Sequence, residues 1–354
     1  MKRVYLYVIF LIALISSPAV VFAQFYQEYN YLDDSGIYDD GTNAFYFEGV
    51  VYNSWTNKHK AKDALSENSL YKYDFTTGVM SKIYTDGRVA PLAPEGTTLS
   101  ASSLSPDSNL IAFFDGIIKG DDVDHDLVVI TKVGAVLHRV GGRVLEYAWT
   151  GDSSKLVYST GYRDWSTEAN EIVPDGVWFY DLSTKTKTKI GEKGWDFVSV
   201  PYDDKVYFTN DVKLLRYDPF TNAVEESKME IANLSSDKRY YVDSIDIYSD
   251  NVKGPPYYSP FRIFDIKENR YLRADEILFI SERDPGDFIW GKDTKTVIFD
   301  GNISRTDYTR NIYTYDFVNK KVIRQFTGKL IGINNAHTKL VILRDGKIVL
   351  ESVQ

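Results

Sequence analysis

The chain has 354 residues, with 50 acidic against 41 basic side chains and a formal charge of −9. That balance argues against a nucleic-acid partner, because phosphate binding draws on clustered Lys and Arg. There is no cysteine, which excludes a disulfide framework and a lipid-modified Cys, while 27 Tyr and 19 Phe favour strands over helices.

The amino terminus reads as a secretory signal over residues 1–23. Lys2 and Arg3 supply the positive start, Val8 to Ile15 the apolar run, and Val21-Phe22-Ala23 a small-residue cut before Gln24. The alternative is an uncleaved anchor, although Ser16-Ser17-Pro18 interrupts the apolar stretch. No later segment is long and apolar enough to span a membrane, so no stable span is expected once the signal is removed. The expected location is exported: periplasm, cell surface or medium. Residues 24–354 are expected to form one domain.

Along that domain one unit recurs: a hydrophobic strand, a tight polar turn with Asp, then a second hydrophobic strand. Its best copies are Leu104-Ser105-Pro106-Asp107-Ser108-Asn109-Leu110, Trp149-Thr150-Gly151-Asp152-Ser153-Ser154-Lys155 and Trp290-Gly291-Lys292-Asp293-Thr294-Lys295. A second unit alternates with it, an aromatic-Asp pair closing a strand ahead of a polar turn: Tyr73-Asp74, Tyr180-Asp181, Tyr217-Asp218, Phe264-Asp265 and Tyr315-Asp316. The first unit predicts the a–b turn of a four-stranded antiparallel sheet, the second its c–d hairpin. Turns are placed near Asp39-Asp40-Gly41, Asp107, Asp152, Asp203-Asp204, Ser235-Ser236-Asp237, Asp293 and Asn334-Asn335. Six steps at a spacing of about fifty residues predict an all-β, single β-propeller of four-stranded antiparallel blades. Seven blades are expected, with six or eight as alternatives. The last blade runs out after its third strand, and the segment from Phe25 to Leu32 is expected to supply the missing outer strand and close the ring.

The Leu104-Ser105-Pro106-Asp107-Ser108 … Ile111-Ala112-Phe113 segment resembles the WD40-like repeats of TolB-type propellers, which also occur in the propeller domains of prolyl-oligopeptidase-like enzymes. The resemblance covers nearly the whole mature chain. Its motif marks a hairpin, not a site. The sequence shows neither the α/β domain of TolB nor the hydrolase domain of the peptidases. The resemblance therefore implies the fold and no functional residue.

Chemistry is harder to find. There is no Gly-x-Ser-x-Gly elbow. His337 is expected in the a–b turn of blade seven, His138 in an outer strand, and His125 and His59 in b–c loops, which does not gather a shared histidine site. Asp121, Asp122, Asp124 and Asp126 form an oxygen-rich stretch of the kind that suits Ca²⁺, but their spacing does not match a known calcium loop. A solvated acidic loop is the alternative, and no other cofactor is expected. The b–c connections Tyr52–Asn68, Gly116–His125, Gly161–Asp175, Tyr248–Pro260 and Asn302–Arg310 read as long loops on one face. They carry Trp55, Tyr162, Trp165, Tyr257, Tyr258 and Tyr308, residue types that anchor recognition surfaces. These six are the candidate partner-binding residues; packing against the blades is the other reading of the same aromatics. The chain is thus expected to be an exported, monomeric, non-enzymatic propeller that binds a protein or polysaccharide partner. The alternatives are a polysaccharide lyase or glycosidase with an axial site, and a structural platform in a cell-envelope complex.

Overall fold

The computed structural model describes residues 36–48, 69–85, 97–119, 122–164, 171–193, 196–199, 205–209, 214–218, 221, 223–226, 235, 237, 239–244, 261–272, 289–291, 293–301, 311–345 and 347–353. The chain divides into two compact units, Met1–Met229 and Glu230–Gln354.

In the first unit four blades follow one another. Blade one holds β1 (Gly36–Asp39), β2 (Ala44–Glu48), β3 (Ser69–Asp74) and β4 (Val79–Thr85). Blade two holds β5 (Thr97–Leu104), β6 (Leu110–Lys119), β7 (Asp122–Thr131) and β8 (Val136–Val140). Blade three holds β9 (Val144–Trp149), β10 (Lys155–Asp164), β11 (Glu171–Asp181) and β12 (Lys187–Gly191). Blade four holds β13 (Asp196–Ser199), β14 (Val206–Thr209), β15 (Leu214–Asp218) and β16 (Ala223–Glu226). In the second unit β17 (Tyr240–Ser244), β18 (Phe261–Asp265) and β19 (Arg270–Tyr271) form one group. The next is β20 (Ile289–Trp290), β21 (Thr296–Gly301), β22 (Asn311–Asp316) and β23 (Lys321–Thr327), and the last is β24 (Lys329–Asn334), β25 (Lys339–Arg344) and β26 (Lys347–Ser352). Consecutive strands pair antiparallel within each group. The fold is all-β, a β-propeller repeat of four-stranded antiparallel blades. The segment from Phe25 to Leu32, expected to close the last blade, lies outside the described residues, as does the whole of 1–23.

The repeated turns explain why these residues fold this way. In blade two the Ser105 hydroxyl donates to Asp107 Oδ1 at 2.6 Å and accepts the N–H of Leu110 at 3.0 Å, while Asn109 N–H reaches Asp107 at 3.2 Å. Blade three repeats this with Thr150, Asp152, Ser154 and Lys155. The fifth group repeats it with Ser235, Asp237, Arg239 and Tyr240. Each complete turn sets one residue at positive φ: Asn43, Ser108, Ser153, Thr294 and His337 lie between 49° and 60°. Short polar side chains tolerate that region best. The aromatic-Asp hairpins are as regular. Asp74, Asp181, Asp265 and Asp316 each accept the N–H groups two and three residues ahead, the turn that Asp favours. The residue after each Asp then donates its N–H back to the a–b turn of its own blade: Phe75 to Asn43, Leu182 to Ser154, Ile266 to Arg239 and Phe317 to Lys295.

The core lies between successive sheets, because the middle strands bury both faces. On β6 and β7, Ile111, Phe113, Val128 and Ile130 pack with Tyr46, Leu70 and Tyr84 of blade one. The alternate residues Ala112, Phe114, Leu127 and Val129 pack with Val144, Leu156, Tyr158 and Tyr180 of blade three. That period-two division follows from the pleat and accounts for the near-continuous apolar runs. Each buried Val, Leu, Ile or Phe among them contributes about 1.5–3 kcal/mol. In the second unit Ile298 and Ile312 pack against Leu340 and Ile342 in the same way.

Candidate binding face

At the b–c end, blades two and three depart from the loops that the sequence suggested. Gly116–His125 is a strand hairpin: β6 and β7 stay in register from Leu110 opposite Thr131 to Lys119 opposite Asp122. Gly161–Asp175 is largely a ribbon as well, with Tyr162 opposite Val173 and Asp164 opposite Glu171. Both corrections have one cause. Polar and glycine residues read as loop signals, but here they sit on strands that run past the outermost strand of their sheet. The fourth strand β8 pairs with β7 only from Leu127 to Ile130, and β12 pairs with β11 only from Val177 to Tyr180. The blade-three ribbon leaves its sheet at a bulge between Thr160 and Gly161, opposite Gly176. Gly176 has φ +144, and a Cβ there would lie 2.4 Å from the Gly191 carbonyl oxygen, so no other residue fits without displacement.

A charged network holds the foot of the blade-two hairpin. Asp115 and Asp126 lie opposite each other on β6 and β7. Arg139 of β8 forks across them, with Nη2 2.7 Å from Asp115 and Nη1 3.2 Å from Asp126. Tyr84 of blade one donates its hydroxyl to Asp115 at 2.7 Å and accepts from Arg139 at 2.8 Å. Asp115 is fully buried, so the guanidinium and phenol are what make its burial tolerable. Burial works against the Arg139 charge, yet the hydrogen bond and charge of Asp115, with help from Tyr84 and Asp126, hold its proton more tightly than usual. Asp124 pairs with Arg143 at 2.8 Å, and Arg143 itself has φ +56 just before β9.

These contacts locate the four carboxylates considered for Ca²⁺. Asp124 and Asp126 are ion-paired to arginines, Asp122 opens β7, and Asp121 lies outside the described residues. Among the described residues no three His, Asp or Glu side chains gather as metal ligands. The sequence points to the acidic stretch but not to Arg139, Arg143 or Tyr84. The available signal was the alternation of Asp122, Asp124 and Asp126, whose period of two belongs to a strand rather than a calcium loop.

Of the six candidate contact aromatics only Tyr162 is described. It is half-buried on β10, on a strand rather than a loop, with Lys193 Nζ 5.7 Å from its ring centre. Trp55, Trp165, Tyr257, Tyr258 and Tyr308 lie outside the described residues, as does His59. His125 is on β7, not in a loop, stacked 5.2 Å from Phe114. His138 lies on the outer strand β8, as expected, with Nδ1 3.1 Å from the Tyr180 hydroxyl. His337 occupies the turn between β24 and β25, with Nδ1 2.7 Å from the Trp290 carbonyl oxygen. His125 thus packs within its own blade, His138 reaches Tyr180 of blade three, and His337 belongs to the second unit.

No family model matches the chain, and no curated protein matches it. Solved structures do resemble it, and they are β-propeller and WD40 proteins. An oligogalacturonate lyase in complex with manganese is 15% identical over 80% of this chain and 81% of that one, with a TM-score of 0.47. The β-propeller domain of the Trilobed protease from Pyrococcus furiosus is 16% identical over 72% and 81%, with a TM-score of 0.44. The C-terminal WD40 domain of Sif2 is 13% identical over 88% and 90%, with a TM-score of 0.41. At this level the likeness carries no argument about what this chain binds or does. Among the described residues no helix is long and apolar enough to cross a membrane.

Proposed function

We propose that this chain is an exported, non-enzymatic β-propeller that binds a protein partner through the b–c end of its blades. One observation carries the reading: the blade-three hairpin projects beyond its own sheet as a two-stranded ribbon, Gly161–Asp164 against Glu171–Pro174. Beyond Thr160 and Val177 neither β9 nor β12 pairs with the ribbon, and projecting elements of this kind serve contact. Tyr162 on the ribbon and Lys193 against its ring supply an aromatic and a cationic group, and Trp165 belongs to the segment joining the two strands. Export rests on the charge, apolar run and small-residue cut at the amino terminus.

The test compares the full chain with a variant in which residues 162–173 are replaced by an Asn-Gly turn joining Gly161 to Pro174, which already face each other. Both are expressed in the source cells and crosslinked in place. The expected result is a mature chain beginning at Gln24, and a crosslinked protein present with the full chain but missing with the trimmed one at an unchanged melting temperature. Identical crosslinks from both, or release of unsaturated sugars from acidic polysaccharides by the purified full chain, would overturn the reading.

A further inference from the structure

The outer strand of blade three is basic within an acidic chain. Thr184-Lys185-Thr186-Lys187-Thr188-Lys189 alternates Thr with Lys, all six are exposed, and β12 contains no acidic residue. Among the described residues β12 is the outermost strand of its sheet, paired only with β11. The Thr186 carbonyl accepts the Asp181 N–H at 3.0 Å, so Thr186 turns its backbone inward. Antiparallel alternation then turns the N–H and C=O of Lys187 and Lys189 outward, opposite Tyr180 and Trp178. The two ammonium groups are also steadied. Lys187 Nζ reaches the Gly141 carbonyl at 3.3 Å, and Lys189 Nζ lies 5.5 Å from the Trp178 ring centre. The carboxylate nearest them, Glu192 at 3.0 Å from Lys189, is itself 82% exposed. Lys185 lies near enough to His138 for its charge, after burial, to disfavour protonation of that ring.

We propose that β12 is a docking edge for an acidic extended peptide, which adds to blade three as a fifth antiparallel strand. Backbone pairing would come from Lys187 and Lys189. Residues opposite them on the incoming strand are two apart and share one face, so alternate Glu or Asp would meet both ammonium groups. Lysines on an edge also repel like edges, which excludes the same strand of a second copy as the occupant. A neutral strand would desolvate the ammonium groups without compensating their charge. An acidic strand satisfies both the charges and the open backbone groups.

The probe is a fluorescein-labelled heptapeptide with glutamate at alternate positions and valine or threonine between, titrated into the purified full chain by fluorescence anisotropy. Two companions accompany it: the same peptide with glutamine for glutamate, and the acidic peptide N-methylated on its pairing edge. Binding is expected for the acidic peptide alone, weakened by salt near 0.5 M. It should fall about tenfold or more in K187E/K189E and measurably in K187Q, with K347E on β26 as the control. Both Lys are exposed, so the melting temperature should hold. No binding of the acidic peptide, equal binding of the glutamine peptide, survival of binding on N-methylation, or indifference to K187E/K189E would each overturn the proposal. So would tighter, lysine-dependent binding of a polyuronate oligomer, which would make the strip a site for polysaccharide instead.

Discussion

The a–b turns of blade three and of the last group make the same bend with different chemistry. In blade three the Thr150 hydroxyl and Asp152 carboxylate divide the work, taking the N–H groups of Lys155 and Ser154 at 3.1 and 3.0 Å. Between β24 and β25 a single amide does both: Asn334 Oδ1 accepts from Thr338 at 2.8 Å and from Lys339 at 2.9 Å. Ser153 and His337 occupy the equivalent positive-φ position. The turn between β20 and β21 is a third solution, with Gly291 in place of the hydroxyl and Asp293 accepting from both Lys295 and Thr296. The repeat therefore preserves a set of satisfied backbone donors rather than a set of residues.

That equivalence can be broken by experiment. The largest effect is expected from Asn334→Ala. Asn334 is 1% exposed, and its loss removes the acceptor from two backbone donors at once, which should cost about 2–3 kcal/mol in urea unfolding. A loss no larger than that of Asp152→Ala, which leaves Thr150 in place, would show that the single amide does not carry the turn. Next comes Gly291→Ser, which restores the hydroxyl of the best copies. A Cβ at Gly291 would lie 2.9 Å from Thr296 Cβ, so the change should destabilise by about 1–2 kcal/mol. A gain in stability would mean that the glycine is a defect rather than a fitted alternative.

The smallest effect concerns acid. Burial opposes the Asp152 charge, but the hydrogen bonds from Thr150 and Ser154 outweigh it and hold its carboxyl below the ordinary value near 3.9. A depressed folded value gives stability that is present above about pH 4 and lost as pH falls below it. Unfolding midpoints between pH 5 and pH 2.5 should fall less steeply in Asp152→Asn than in the parent chain. Equal slopes would separate that carboxylate from the stability of its turn.

Much of this scaffold is legible in the chain because it is local. Asp107, Asp152, Asp237 and Asp293 of the a–b turns, like Asp74, Asp181, Asp265 and Asp316 of the c–d hairpins, accept bonds within three residues of themselves, so both motifs can be read from neighbours. The candidate face was less legible. Whether Gly161–Asp175 is loop or ribbon depends on a register set from Leu156 to Tyr162 against a partner strand, and Gly, Arg and Pro there mimic loop composition. The partners of Asp115, Asp124 and Asp126 come from Arg139, Arg143 and Tyr84, on a later strand, a link and the preceding blade. Nothing in the acidic run itself announces them.

The backbone bond that follows each aromatic-Asp pair has a further consequence for how the chain reaches this state. Phe75, Leu182, Ile266 and Phe317 all find their acceptors in turns already made upstream in the same blade. In blades two, three and four and in the β20–β23 sheet every strand also pairs with its immediate neighbours in sequence. A chain leaving the ribosome from its amino terminus can therefore lock each of these sheets as soon as its fourth strand emerges. Few backbone edges need then be held open while later residues are still being made, and each apolar face waits only for the next sheet in sequence.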